Sequence, residues 1–420
     1  MSVKTDVDLN TEDCMRTKWK LFLKQKTRTL LKLLELRHGK RELPCYAEKN
    51  FIFVDNKFED YFEQIKFAFE LGLLDVRNTL LVAKFYRTNF YKTQEAAAKI
   101  GLKTHFYYYN NQIPSISNKV VFYPYNAQIN CRLILNRRAC HVFLTHGESN
   151  KKSSVNRMVR LYDYIIASGD ISCDRYLENG VLSQSDLQDG RVIKVGTALS
   201  ASCFDYLNPH GDNTCVAYLP TWEGGNEEEN FSSLASPYIA HFLISLCAKL
   251  GEKNIIIKAH PNLGGRIKRY HKHLAGLIET LRLNDIRVYV ESSNKEAKKS
   301  AANVPENMSI KIGVCDVSAS EFMLAAKKIP TILLINGEKE FFSTKKYMGL
   351  RKKFVVNINN RQKIDGFLER PLLKDDLAVF VDNLHEYAFS DTRREESKAL
   401  ELCQGFFGFQ NELTEKTSSA

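Results

Sequence analysis

From residue 51 onward, short apolar runs alternate with longer segments in which apolar residues recur every three or four positions. Short runs are typical of buried strands and the longer period is typical of helices. The runs predict strands at 51–55, 79–84, 104–109, 119–123, 141–147, 162–169, 191–196, 215–222, 254–261, 286–291, 309–316, 330–335 and 353–358. The longer period predicts helices at 58–73, 93–102, 126–138, 237–250, 266–282, 318–328, 372–389 and 392–407. Alternating strands and helices indicate mostly parallel sheets covered on both faces.

A polar break at 207–214 separates two similar α/β halves. The chain has 420 residues, which is too long for one ordinary core. We therefore expect two Rossmann-like domains that face each other across a cleft. The predicted units are a basic segment at 1–45, an N-terminal domain at 46–208, a C-terminal domain at 209–391, and a last unit at 392–420 that consists of a helix that crosses back and a tail.

The segment at 15–41 is strongly basic, with ten Lys or Arg residues against one Glu. Its apolar residues recur at helical spacing, so it predicts a basic amphipathic helix that lies on an anionic membrane surface. The alternative is a helix packed on the protein body with a solvated basic face. The membrane candidates are Trp19, Phe22, Lys24, Lys26 and Arg28.

Composition narrows the class of partner. The net charge is +11 and the pI is about 9.0, which favours anionic partners. The ten cysteines show no C-x-x-C pair, and no stretch is long and apolar enough for a membrane span. These features indicate reduced thiols and a cytoplasmic protein. The basic helix at 266–273 belongs to no recognisable RNA-binding module, so we expect no nucleic acid partner.

Four segments place polar side chains directly after apolar strands. In the first, His146 and Gly147 end a strand and Lys151 follows. Glycine permits a sharp turn, and a histidine with a near-neutral pKa can take a proton from an attacking hydroxyl. The alternative is a structural histidine at a strand end.

The second segment is 218–222, in which a proline ends a strand and Thr221 offers a hydroxyl to a phosphate oxygen. The alternative here is a core tryptophan, Trp222, in a turn. The next residues, 223–230, are rich in glutamate and glycine and predict a flexible acidic loop.

In the third segment, Lys258 and His260 lie on the same side of an extended chain, because side chains alternate along a strand. A cation and an imidazole together can hold a pyrophosphate and offset charge on a leaving phosphate. The fourth segment opens a helix and contains Asp316, Ser318, Ser320 and Glu321. These residues cap the helix, and the free N–H groups there can also bind an anion.

In this order and spacing, the four segments resemble the CDP-glycerol glycerophosphotransferase family, whose members build teichoic acids and related capsules. The shared pattern consists of His146-Gly147 with Lys151, Pro220-Thr221-Trp222, Lys258-x-His260-Pro261, and Asp316-x-Ser318 with Pro330. Ala319 and Met323 depart from it, and Ser320 or Glu321 substitutes for the residues usual there.

The resemblance implies a GT-B fold with CDP-glycerol as donor, held mainly by the C-terminal domain. It gives His146 as general base, and Lys258, His260 and Ser318 as the pyrophosphate clamp. We therefore expect His146 and His260 to be catalytic. The expected residues that bind the phosphates or nucleotide of the donor are Gly147, Lys151, Thr221, Lys258, Asp316, Ser318, Ser320 and Glu321. A hydroxyl of the acceptor would attack the phosphorus next to glycerol and release CMP, with no obligatory metal or other cofactor.

We therefore expect a glycerophosphotransferase that acts on a lipid-linked saccharide at the inner face of the cytoplasmic membrane and primes capsule or teichoic acid synthesis. One alternative is a hexose-phosphate or ribitol-phosphate capsule polymerase of the same family. The other is a non-enzymatic protein that binds anionic lipid or nucleic acid through its basic N-terminus.

Overall fold

The computed structural model describes residues 45–389 except 56–61, 71, 73, 88, 146, 200–203, 205, 206, 208, 292–303, 306, 338, 340 and 373. The predicted membrane residues Trp19, Phe22, Lys24, Lys26 and Arg28, like the predicted helix at 392–407, lie outside the described residues. Within the described part, no helix is both long and apolar enough to cross a membrane.

Seven parallel strands form the first sheet, in the order β3-β2-β1-β4-β5-β6-β7. Along β1, Phe51 and Phe53 enter one core cluster while Ile52 and Val54 enter another on the opposite face. Both faces are therefore covered, which explains why the apolar runs are unbroken. The strands are β1 (Asn50–Val54), β2 (Thr79–Lys84), β3 (Lys103–Tyr107), β4 (Val120–Tyr123), β5 (Cys140–Phe143), β6 (Tyr164–Ala167) and β7 (Val192–Lys194).

Six parallel strands form the second sheet, in the order β10-β9-β8-β11-β12-β13. They are β8 (Asn213–Leu219), β9 (Asn254–Lys258), β10 (Arg287–Glu291), β11 (Met308–Asp316), β12 (Thr331–Ile335) and β13 (Val355–Asn357). The prediction of two α/β domains with parallel sheets is confirmed. The exact domain boundaries remain predictions.

In both sheets the strand order reverses beside the first strand, between β1 and β4 and between β8 and β11. In open α/β sheets, ligands bind beyond the carboxyl ends of the strands at this reversal. Two of the predicted polar segments lie at the second reversal. Thr221 follows β8, and Asp316 is the last residue of β11.

Helices connect the strands. They are α1 (Phe62–Glu70), α2 (Phe90–Lys99), α3 (Cys131–Ile134), α4 (Asp170–Glu178), α5 (Gln184–Gln188), α6 (Ile239–Leu250), α7 (Arg269–Leu283), α8 (Ser320–Ala326), α9 (Lys345–Arg351), α10 (Arg361–Glu369) and α11 (Lys374–Ala388). The sequence pattern did not indicate α4, α5, α9 or α10.

The predicted helix at 126–138 is wrong. The chain instead forms a 3₁₀ turn, Gln128–Asn130, followed by the single turn α3. The amide of buried Asn130 donates to the Tyr125 carbonyl and to the Tyr162 hydroxyl. Asparagine side chains that bond locally favour turns over continuous helix, and this explains the interruption.

Helix α11 packs against both halves of the molecule. Ile171, on α4 of the first half, shares a buried cluster with Phe322 on α8 and with Phe380 and Leu384 on α11. The Tyr387 hydroxyl also donates to the Asp174 carboxylate at 2.8 Å. The two halves therefore share a small core in addition to their own separate cores.

Candidate active site between the two sheets

Three adjacent strands of the second sheet, β9, β8 and β11, have polar residues at or just beyond their carboxyl ends. Thr221 follows β8, His260 follows β9, and Asp316 is the last residue of β11. Parallel strands present their carboxyl ends at the same edge, so the topology gathers the predicted residues beside the reversal of strand order.

Asp316 is fully buried and joins the ends of two strands. Its Oδ2 accepts the Thr221 backbone N–H at 2.7 Å and the Ser233 N–H at 3.2 Å. Its Oδ1 is buried without a hydrogen-bond partner among the described residues. Burial raises the pKa of the Asp316 carboxyl to about 7, although these hydrogen bonds oppose the shift. Asp316 therefore exchanges a proton near neutral pH.

Lys151 belongs to the first half and reaches the second. Its ammonium donates to the Thr221 hydroxyl at 3.0 Å. Burial lowers the pKa of Lys151, while the Asp316 carboxylate acts to raise it. Lys151 and Thr221, which were predicted from separate segments, are therefore in contact. This contact places the partly desolvated Lys151 ammonium at the strand ends of the second sheet.

His260 lies beside this cation as a neutral ring. Its Nδ1 accepts the Asn262 N–H at 3.1 Å, so the proton of the neutral imidazole is on Nε2. Burial, and then the charge of Lys151, lower the pKa of His260 to about 4. The ring stacks on Trp222 with centroids 5.9 Å apart. His260 is therefore a fixed, uncharged hydrogen-bond donor at neutral pH.

The loop after β5 has an unusual backbone. Thr145 has a φ of 53° and Gly147 a φ of 88°. A positive φ is costly for a β-branched residue, and such strain is concentrated at functional sites. The Thr145 hydroxyl is also buried without a partner among the described residues. His146, between these two residues, lies outside the described residues, so its role as general base stays a prediction.

A buried ion pair anchors the same loop, and sequence reasoning missed it. Glu148 pairs with Arg175 on α4, and both side chains are almost completely buried. Arg175 also donates to the Asn150 side chain at 3.1 Å, and the Asn150 carbonyl accepts the Phe342 N–H from the second half. This loop is therefore held from both sides just before Lys151. Glu148 lies between Gly147 and Lys151 in the first polar segment, but its partner Arg175 is on α4, a helix that the sequence pattern did not predict.

Lys258 pairs with Glu291 on the neighbouring strand β10 at 2.6 Å, and its ammonium lies 5.1 Å from the Phe204 ring centroid. His260 instead stacks on Trp222, and the charge of Lys151 lowers its pKa. These contacts of Lys258 do not link it to His260, and its role in a pyrophosphate clamp stays a prediction.

Ser318 and Ser320 behave as a local cap. The Ser318 hydroxyl donates to the Asp316 carbonyl and accepts the Ser320 N–H at 3.3 Å. Glu321 points elsewhere, into a buried pair with Arg351 and a hydrogen bond from Tyr347. Its carboxylate is therefore committed to the core in this structure, and the donor contact expected of Glu321 stays a prediction.

The expected flexible acidic loop at 223–230 is also partly wrong. Glu223 is fully buried, and its carboxylate accepts the backbone N–H groups of Gly264, Arg266 and Ile267. It ties the loop after β8 to the chain that enters α7. In the described part of the chain, no three His, Cys, Asp or Glu side chains gather as metal ligands. The expectation that no metal is required stays a prediction.

No protein-family model matches this chain, and no curated protein sequence matches it. Solved structures do match. A histidine-to-alanine variant of the wall teichoic acid polymerase TagF is 11% identical, with a TM-score of 0.50 over 94% of this chain and 98% of that one. The Anabaena protein HepE in complex with UDP is 13% identical, with a TM-score of 0.50 over 85% of this chain and 100% of that one. At these identities the likeness shows the fold, and the chain has the two-domain GT-B fold.

Proposed function

We propose that this protein is a transferase that moves glycerol phosphate from CDP-glycerol to a hydroxyl of a lipid-linked saccharide and releases CMP. One observation carries the proposal: Lys151 from the first half contacts Thr221 at the strand ends of the second half, at 3.0 Å. This contact brings a cation to the position where an open α/β sheet binds phosphorylated ligands.

The contacts fit phosphoryl transfer in a site with little water. Charged and hydrogen-bonding groups are most effective in such a site, because they need not reorganise as charge develops. Lys151 would pair with a phosphate oxygen of the donor, in exchange for its present contact with Thr221. His260 would donate its Nε2 proton in a hydrogen bond to an oxygen of the leaving CMP.

In the proposed step, the acceptor oxygen forms a bond to the phosphorus that carries glycerol. The bond between that phosphorus and the CMP oxygen breaks, and the acceptor proton passes to His146. Gly147 lets the chain turn beside this residue. The Oδ1 of Asp316 is suited to a hydrogen bond with a hydroxyl of the donor, as acceptor when the carboxyl is ionised and as hydrogen-bond donor when it is protonated.

Two findings support this donor class. The motif pattern resembles that of CDP-glycerol glycerophosphotransferases. TagF is a wall teichoic acid polymerase and HepE was determined with UDP, so proteins of this fold include a polymerase of that kind and a nucleotide binder. We further propose a single, priming addition for capsule or teichoic acid at the inner face of the cytoplasmic membrane, where residues 1–45 attach the enzyme to anionic lipid.

The test supplies purified protein with a detergent-solubilised lipid-linked saccharide and, separately, CDP-glycerol, CDP-ribitol or UDP-sugars. We expect CMP release with CDP-glycerol, and mass spectrometry should show one added glycerol phosphate. A product with CDP-ribitol alone would instead favour the ribitol-phosphate alternative.

Substitutions test the assigned residues. We expect His146→Ala, His260→Ala and Lys151→Met to lower CMP release by a factor of about 100 or more while the fold remains intact. His241→Ala is the matched control, because His241 pairs with Asp365 on another part of the second half. Full activity in both His146→Ala and His260→Ala would refute the mechanism.

A further inference from the structure

A group of exposed tyrosines lies at the same edge of the first sheet as the loop that carries Lys151. Tyr86, Tyr91 and Tyr108 are 39%, 79% and 54% exposed. They are the aromatic members of the large hydrophobic side chains that are exposed in the described part of the chain. We call these three residues the tyrosine surface.

The tyrosine surface rests on a fixed aromatic base. The Phe85 ring stacks on Tyr108 with centroids 4.3 Å apart, and the Phe90 ring contacts Tyr91 at 5.3 Å. Phe85 and Phe90 also contact each other at 5.2 Å. Because these rings hold one another, a ligand would meet a surface that loses little conformational entropy on binding.

Hydrogen bonds between side chains and backbone fix two of the three tyrosines. The Gln112 side chain accepts the N–H groups of Tyr108 and Tyr109 at 2.8 and 3.1 Å. The Tyr86 hydroxyl donates to the Asp55 carbonyl at 3.0 Å. Tyr86 follows β2 and Tyr108 follows β3, so both rings are attached directly to the sheet, which is the rigid part of the domain.

Polar groups lie beside the rings. Asp55, at the end of β1, pairs with Lys84 at 3.3 Å, and the side chains are 11% and 26% exposed. Asp55 also accepts the Tyr107 hydroxyl at 2.9 Å, so both charged groups are already paired and hold the chain below the rings. Planar exposed rings suit saccharides, because sugar rings pack their C–H faces on aromatic rings.

Position links this surface to the proposed reaction. Strand β2 is separated from β5 by β1 and β4, which makes three steps of about 4.8 Å each, or roughly 14 Å. An acceptor that lies along the carboxyl edge would therefore reach from the tyrosine surface to the loop before Lys151. Binding far from the reacting atoms is a usual way to position a substrate.

We propose that the tyrosine surface binds the saccharide part of the acceptor, an inference that rests on the proposed function. A membrane contact is the other source of exposed aromatic residues. The exposed Arg87 and Lys92 next to Tyr86 and Tyr91 would suit such a contact. We favour the saccharide because the tyrosine surface lies on the sheet edge that leads to the loop before Lys151, and phosphatidylglycerol vesicles are the competing ligand in the test.

The test uses an array of immobilised oligosaccharides from bacterial cell walls and capsules, followed by calorimetry with the best binder. We expect Tyr91→Ala/Tyr108→Ala to weaken saccharide binding about tenfold or more, and Tyr91→Phe/Tyr108→Phe to retain it because the rings remain. Leu135→Ala is the control, since Leu135 is an 80% exposed side chain of the same half.

Three results would overturn the inference. The wild type could bind no saccharide, the alanine variant could bind saccharide as well as the wild type does, or the alanine variant could lose binding to phosphatidylglycerol vesicles while it keeps binding to saccharide. CDP-glycerol affinity, measured separately by calorimetry, tests the proposed function. Saccharide binding through the tyrosines without any CDP-glycerol binding would refute the proposed function and leave the saccharide site standing.

Discussion

Asp316 and His260 have pKa values shifted in opposite directions. The pKa of Asp316 is raised to about 7 and that of His260 is lowered to about 4. Between these values both side chains are neutral, while Lys151 next to them is the charged group of the set. A cation beside neutral hydrogen-bonding groups is suited to a phosphate, because the protonated Asp316 carboxyl does not compete for it. The Glu229 carboxylate is the other anion that acts on Lys151.

These shifts make opposite contributions to stability. His260 has a folded pKa below its ordinary value, so the unfolded state binds the proton first, and stability falls as the pH drops from 6.5 toward 4. Asp316 has a folded pKa above its ordinary value, so the folded state binds the proton first, and stability rises as the pH drops from 7 toward 4. From pH 7 to pH 5 each effect amounts to about 2 kcal/mol.

Single substitutions should separate the two effects. Relative to the wild type, we expect His260→Asn to gain about 2 kcal/mol of unfolding free energy between pH 7 and pH 5, and Asp316→Asn to lose about as much. Urea unfolding of the three proteins at both pH values measures this. If the unfolding free energy changed by the same amount in all three proteins between pH 7 and pH 5, His260 and Asp316 would not titrate in the folded state as stated.

At the scale of elements, the strands were predictable because parallel strands are buried on both faces and appear as unbroken apolar runs. The polar residues at their ends were predictable for the same reason, since Thr221 and Asp316 interrupt or follow such runs. Buried pairs were not predictable. Glu148 and Arg175 are 27 positions apart and Glu321 and Arg351 are 30 apart, and nothing local marks such partners.

The loop before Lys151 depends on the Glu148–Arg175 pair. Removing one partner leaves a buried charge, so we expect Arg175→Met to cost about 3–5 kcal/mol of unfolding free energy and to weaken CDP-glycerol binding. Glu148→Gln/Arg175→Met should recover part of the stability but not the binding, because Asn150 also loses its contact with Arg175.

The Glu321–Arg351 pair provides the matched control. It is equally buried, and its partners lie on α8 and α9, apart from the loop. Arg351→Met should lower the unfolding free energy by a similar amount, yet CDP-glycerol affinity per folded molecule should stay near that of the wild type. If both variants lost affinity equally, the Glu148–Arg175 pair would have no special role in positioning Lys151.

At the scale of the molecule, the site is built from two halves, so its geometry requires that they stay in contact. Lys151 and Asn150 make polar contacts across the interface, through Thr221 and Phe342. The larger apolar contact is the cluster in which Ile171 packs among residues of α8 and α11. Since polar contacts contribute little net free energy and buried apolar area contributes more, this cluster holds the halves together.

Hydrogen exchange can show this coupling directly. Ile171→Ala opens a cavity at a fully buried position, at a cost of about 2–5 kcal/mol, and part of that cost falls on α11, which lies about 200 positions further along the chain. We expect faster amide exchange in α11 of this variant. Val181→Ala is the control, because Val181 is equally buried but packs in the core of the first half alone. Unchanged exchange in α11 of Ile171→Ala would mean that the two halves are stabilised independently and that the Lys151–Thr221 contact forms without support from this cluster.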